Sequence, residues 1–140
     1  MQNNRISWEE YALKIAEAAA LRSEDPFRKV GACVLDHRNR VTAVGYNGLA
    51  PGKDVDPSFW LDRDKRLPFM LHAEINALSL IANSECQLIA CTLMPCPACA
   101  TAIAAHGIKK VVYRDKYDRN QDALEIFDFY GIEHAQIKYL

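Results

Sequence analysis

No segment of the 140-residue sequence is apolar for long enough to make a bilayer-spanning helix. The amino-terminal stretch MQNNRISWEE lacks the apolar core of a signal peptide, so the cytoplasm is the expected compartment and no membrane partner is expected. An excess of charge of one sign is also missing. Seventeen basic residues face eighteen acidic ones, for a formal net charge of −1. Overall charge therefore gives no pull toward nucleic acid, which is not an expected partner. Internal repeats and low-complexity tracts are absent. A disulfide framework is disfavoured as well, because five cysteines are an odd number and the chain is no miniature secreted scaffold. Free thiols or metal ligands are the better reading.

What is present suits one domain over residues 1–140, with half its residues hydrophobic and a quarter charged. Residues 7–22 predict a helix, with Ser7 as N-cap, Glu10 three residues on, and Trp8, Tyr11, Ile15 and Ala18 at helical spacing. VGACVLD (30–36) and RVTAVGY (40–46) predict a hairpin of two strands. Residues 47–70 follow as a long irregular stretch, a length usually tied to function. A helix is predicted over 72–83, a strand over 87–93, an alanine-rich helix over 96–107 ending at Gly107, and a strand over 109–113. A helix over 120–130 and a strand over 132–139 complete the chain. The last three strands alternate with helices, which implies parallel neighbours. The expected fold is α/β, a three-layer α-β-α arrangement around a five-stranded mixed sheet. Its sites belong at the carboxyl ends of strands, where loops feed helix starts.

Two motifs lie at such helix starts. In PCPAC, Cys96 and Cys99 sit three apart on a first turn, so both thiolates reach one side of the helix, and the helix terminus favours the thiolate form. Alone, the pair is equally compatible with a redox couple or with two small packed residues. LHAEINAL puts His72 at another helix start. His72, Cys96 and Cys99 would make a three-ligand site with one coordination position open, the mark of catalytic rather than structural zinc. Glu74, on the first turn beside His72, is then placed to move protons. Either residue taken alone reads as helix-terminal polarity. The other cysteines, Cys33 and Cys91, read as strand core, and Cys86 as part of a turn.

The combination HAE with PCxxC resembles the signature of the zinc-dependent nucleobase deaminases. SWEEYALKIA, RSEDPFRKVGACV, GYNG, PCPACATAIAAHGIKKVVY and DKYD extend the resemblance nearly end to end, and within the superfamily it is strongest to the deoxycytidylate (dCMP) deaminases. That resemblance implies Zn2+ as cofactor, hydrolytic attack at C4 of cytosine, and conversion of dCMP to dUMP and ammonia, feeding dTMP synthesis. It implies proton shuttling by Glu74. The Ala73 amide would hold the ring carbonyl, and the Met94 carbonyl would accept from the amino group. Asn47 would bind the sugar hydroxyl, and Tyr117 would cover the ring or reach the phosphate. Arg22, Ser23, Arg28, Lys29 and Arg119 are candidate phosphate donors. A homo-oligomer, hexamer or dimer, is implied too, with dCTP and dTTP as candidate effectors.

The sequence departs from the family in two respects. Many relatives carry additional cysteine and histidine in the long loop for a second zinc. Residues 48–71 contain neither, so one zinc per chain is expected. The loop sequence KDVDPSFWLDRDKRLPF also differs from that of the regulated members; its Trp60, Leu61 and Phe69 could form a subunit contact, a lid or a core tether. Competing expectations are a deaminase of modified dCMP, nucleoside, free base or tRNA adenosine, and a non-catalytic zinc-stabilised interaction module.

Overall fold

Ser7 caps the first helix: its Oγ accepts from the Glu10 amide at 3.1 Å in the computed structural model, which describes residues 4–139. This helix, α1 (Trp8–Ala20), buries Ala12, Leu13, Ala16 and Ala20. The buried stripe is rotated from the predicted one, since Trp8 and Tyr11 are largely exposed and pack edge to face on each other. The reason is proximity. A Cβ on Gly31 would lie 1.9 Å from the Ala16 carbonyl oxygen and 2.7 Å from the Ala20 nitrogen, so the helix backbone rests directly on the sheet there and only alanine fits at these two positions.

The sheet has five strands: β1 (Gly31–Asp36), β2 (Val41–Tyr46), β3 (Cys86–Leu93), β4 (Lys110–Asp115) and β5 (Glu133–Gln136). Their order is β2-β1-β3-β4-β5, with β1 antiparallel to both neighbours and β3, β4 and β5 mutually parallel. Alternation along the central strands divides the core in two. Cys33, Leu35, Leu88, Ala90 and Val112 face α1. Val34, Ile89, Cys91 and Val111 pack with residues of three helices, α3 (Ala73–Leu78), α4 (Pro97–Ala105) and α5 (Asp122–Phe129). One helix on one face and three on the other give the expected three layers. No helix among the described residues is long and apolar enough to cross a membrane.

Several bounds differ from expectation. α3 ends at Leu78, capped by Ser79, instead of running to residue 83. β5 is short, although the Ile137 amide still donates to the Tyr113 carbonyl. Residues 47–70 are not irregular throughout. They hold 3-10 turns at Pro57–Leu61 and Leu67–Phe69 and a single-turn helix, α2 (Arg63–Arg66). Asp56 and Asp62 cap these turns through their side chains. Asp56-Pro57 is an N-cap followed by proline at N1, a helix-start signal present in the sequence. Paired backbone bonds between Gly48 and Leu71 close the loop, so His72 returns beside the end of β2.

This topology places the exits of β2, β3 and β4 and the entry of β1 along one edge of the sheet. α3 is set by contact: a Cβ on Gly45 would lie 2.4 Å from the Ala73 carbonyl oxygen and 2.6 Å from the Ala77 nitrogen. Gly45→Ala should therefore push α3 outward, lowering stability by ~1–3 kcal/mol in urea unfolding and loosening whatever metal His72 helps to hold. An unchanged midpoint would mean that α3 is not fixed by this contact.

Candidate active site

Two helix starts meet at that edge. His72 is the residue before α3, and Cys96 is the N-cap of α4, its sulfur accepting from the Cys99 amide at 3.4 Å. Pro97 follows at N1, where no amide is needed. His72 Nδ1 lies 3.2 Å from Cys99 Sγ and 3.5 Å from Cys96 Sγ. All three donor atoms fall within 4.8 Å of one another, the one such group among the described residues. Tetrahedral zinc with ordinary Zn–N and Zn–S bonds separates a nitrogen from a sulfur by about 3.6 Å. The donor set fits that ion in both spacing and softness, and it leaves one position of four without a protein ligand.

Electrostatics point the same way. The hydrogen bond from the Cys99 thiol, then the His72 ring and the Cys99 amide, hold the Cys96 thiol down at about 4 against the cost of burial. Donating that same bond, together with burial, pushes Cys99 up. Its hydrogen bond to Cys96 raises His72. The three groups thus share protons that a soft cation would replace, since ligation requires thiolates and a neutral imidazole. Cys33 and Cys91 are buried and pushed up by desolvation, as inert core thiols are, and they take no part.

Glu74 lies on the first turn of α3, only 3% exposed, and burial raises it above the ordinary carboxylate range. Glu74 and the donor residues His72 and Cys96 line a cavity of about 700 Å³, a volume suited to a small-molecule ligand. Its walls come from residues before β1, the end of β2, the 63–74 segment, and the exits of β3 and β4.

The remaining sequence candidates divide. Ala73, Met94, Asn47, Tyr117 and Arg119 all line the cavity. The Ala73 amide belongs to the first turn of α3, where amides lack intrahelical acceptors. Asn47 turns its side chain to the backbone: Oδ1 accepts from the Val30 amide and Nδ2 donates to the Arg28 carbonyl. Of the phosphate candidates, Arg28 and Arg119 are in the wall, with the Arg28 guanidinium 5.0 Å from the Tyr117 ring centre. Arg22 and Lys29 are exposed outside it. Ser23 is buried, its hydroxyl donating to the Asn47 carbonyl.

Several cavity residues, Asn120, Arg63 and Arg66 among them, were not singled out by sequence. Asn120 donates to the Met94 carbonyl at 2.8 Å. Arg63 and Arg66 come from α2, within what read as a long irregular stretch. Trp60 sits by the Arg66 guanidinium, whereas Leu61 and Phe69 are exposed, so the loop's apolar residues do not act as one tether.

The family model for the cytidine and deoxycytidylate deaminase zinc-binding region matches residues 6–115. The chain belongs to this deaminase family. It is 32% identical to deoxycytidylate deaminase of Pongo abelii over 143 residues, covering 94% of this chain and 80% of that protein. With deoxycytidylate deaminase of Homo sapiens it shares 33% identity over 131 residues, covering 87% and 73%. Among solved structures it is similar to the dCMP deaminase of cyanophage S-TIM5 in complex with dCMP and dUMP. That match has a TM-score of 0.79 and 31% identity, and covers 96% of this chain and 100% of that one.

For a deaminase built this way, His72→Ala and Cys96→Ala should each lower bound zinc well below one ion per chain, measured by atomic absorption. Cys33→Ala should leave the metal in place. Full zinc in the His72 or Cys96 variant would remove that residue from the site.

Proposed function

We propose that the protein is a zinc-dependent hydrolase that converts dCMP to dUMP and ammonia, supplying the uracil nucleotide from which dTMP is made. One observation carries this reading: a nitrogen and two sulfurs within 4.8 Å of one another, with the buried Glu74 carboxylate beside them in a cavity of ligand size. The relatives' activities and the nucleotides bound to the cyanophage enzyme support it.

His72, Cys96 and Cys99 would hold the ion. Bound zinc would supply Lewis acidity that brings the ionisation of water toward neutral pH. Glu74, whose proton affinity burial raises, would be the proton carrier. It would take the proton of the attacking water, deliver it to N3 of the ring, and then serve the departing amino group. A C4–O bond forms, the C4–N bond breaks, and the water hydrogens end on ammonia and the ring. The Ala73 amide would donate to the ring carbonyl. The Met94 carbonyl would accept from the amino group, with Asn120 holding that carbonyl through one lone pair and leaving the other. Asn47 keeps the 28–30 segment against β2, and a spare lone pair of its Oδ1 would meet the sugar hydroxyl. Tyr117 and Arg119 would close the outer wall. Assembly as a homo-oligomer belongs to the same reading. The rings of Phe59, Trp60 and Phe69 cluster on the loop and offer apolar surface for it.

Ammonia release from dCMP, deoxycytidine, dCTP, cytosine, guanine and a tRNA anticodon stem-loop tests the assignment, and dCMP should be the preferred substrate. Turnover of another member of the panel with dCMP inert would overturn it. Glu74→Gln should keep its zinc yet lose ~10²–10⁴-fold in kcat. Loss of zinc in that variant would make Glu74 a structural or ligating group instead.

A further inference from the structure

Arg66 is 8% exposed, unusual burial for an arginine, and it lies in the cavity wall. Its Nη1 donates to Asp25 Oδ2 at 2.7 Å, and Asp25 is itself buried. The rings of Phe27 and Trp60 lie 5.3 and 5.8 Å from the guanidinium carbon. Nε is buried and has no hydrogen-bond partner among the described residues. The salt bridge therefore occupies one end of the guanidinium. Among the described residues, the edge formed by Nε and Nη2 has no hydrogen-bond acceptor. That edge is the one a guanidinium uses to grip two oxygens of one anion. A contact that only pinned the loop would have no use for it, because an unsatisfied buried donor is costly and an apolar pair would pin as well.

Charge in the cavity has the matching sign. Arg28, Arg63, Arg66 and Arg119 line it, against the carboxylates of Asp25 and Glu74, in a chain whose formal net charge is −1. Asp25 also joins two of these cations. While Oδ2 holds Arg66, Oδ1 accepts the amides of Phe27 at 2.8 Å and Arg28 at 3.2 Å, fixing the turn that carries Arg28.

We propose that Arg66 reads the 5′-phosphate of the substrate and sets the preference for a nucleoside monophosphate over the free nucleoside, with Asp25 as the positioning residue that aims it. This assignment rests on the nucleotide reading above. It gives the loop between β2 and α3 a role in specificity: its single-turn helix delivers a guanidinium to the cavity from a segment far in sequence from the metal-binding cysteines.

The test compares wild type with Arg66→Met and Arg66→Lys, each checked for folding by thermal melting and for zinc content. For each, kcat/KM is measured with dCMP and with deoxycytidine, and the affinities for dUMP and deoxyuridine by calorimetry. Arg66→Met should reduce the preference for dCMP over deoxycytidine, and for dUMP over deoxyuridine, by ~30-fold or more, with partial recovery in Arg66→Lys. Equal losses for nucleotide and nucleoside, or unchanged ratios, would overturn the proposal and leave Arg66 a structural anchor. If Arg66→Met fails to fold because Asp25 is left buried and unpaired, Asp25→Asn together with Arg66→Met removes both charges, and the same ratios decide. A wild-type protein inert toward dCMP would overturn the nucleotide reading and this assignment with it. Wild-type dCMP turnover with unchanged ratios in the variants overturns this assignment alone.

Discussion

The approach of His72 Nδ1 to the sulfurs of Cys96 and Cys99, at 3.2–3.5 Å, is the constraint on which the rest of the site depends. No single element could produce it. The two cysteines share one helix turn, but the histidine arrives from another helix, and the starts of both must be held at the same edge of the sheet. Gly45 lets the α3 backbone press on β2, and the Met94 amide, bonded to the Asp115 carbonyl, ties the exit of β3 to the exit of β4. The Gly48–Leu71 pairing fixes where the long loop hands the chain to His72. Ligation would then cost little reorganisation, because the donors already stand at metal distance and share protons that an ion would displace.

Around that centre the cavity separates its charges. Glu74 is withdrawn from water on α3, where burial makes it a better proton acceptor than an ordinary carboxylate. Four arginines occupy the wall, one of them itself buried and paired. Burying an ion pair such as Asp25–Arg66 is a poor way to gain stability, since desolvation offsets most of the attraction. Its presence is easier to understand as the cost of holding a cation in a defined orientation beside a ligand. Asn120 and Asn47 serve the same end with neutral groups, one fixing the Met94 carbonyl and the other the segment before β1. The likeness to the deoxycytidylate deaminases extends through the strands and helices that carry these residues, not only the metal motif.

Much of this was legible in the sequence because it depends on local rules. The capped first helix, the hairpin, the alternation of helix and strand, and the helix-start motifs HAE and PCxxC each carry their own signal. The buried face of α1 was misjudged, because the large residues Trp8 and Tyr11 sit on the neighbouring stripe and sequence spacing does not reveal that Gly31 admits only alanines. Arg66 was hidden for a related reason. Among Arg63, Asp64, Lys65 and Arg66 it looks like solvated surface, and only the tertiary partners Asp25, Phe27 and Trp60 distinguish it. Asn120 gave no signal at all, since its partner is a backbone carbonyl 26 residues away. The short turns at Asp56 and Asp62 were missed in a stretch read as irregular, although their capping side chains carry a local signal.

A zinc ion held by one nitrogen and two sulfurs, with its fourth position free of protein, would have a distinctive coordination shell. X-ray absorption at the zinc edge of the purified protein tests it directly. One zinc per chain is expected, with two sulfur neighbours at about 2.3 Å and two nitrogen or oxygen neighbours at about 2.0–2.1 Å. A shell of three or four sulfurs, or a protein that takes up no zinc, would contradict it.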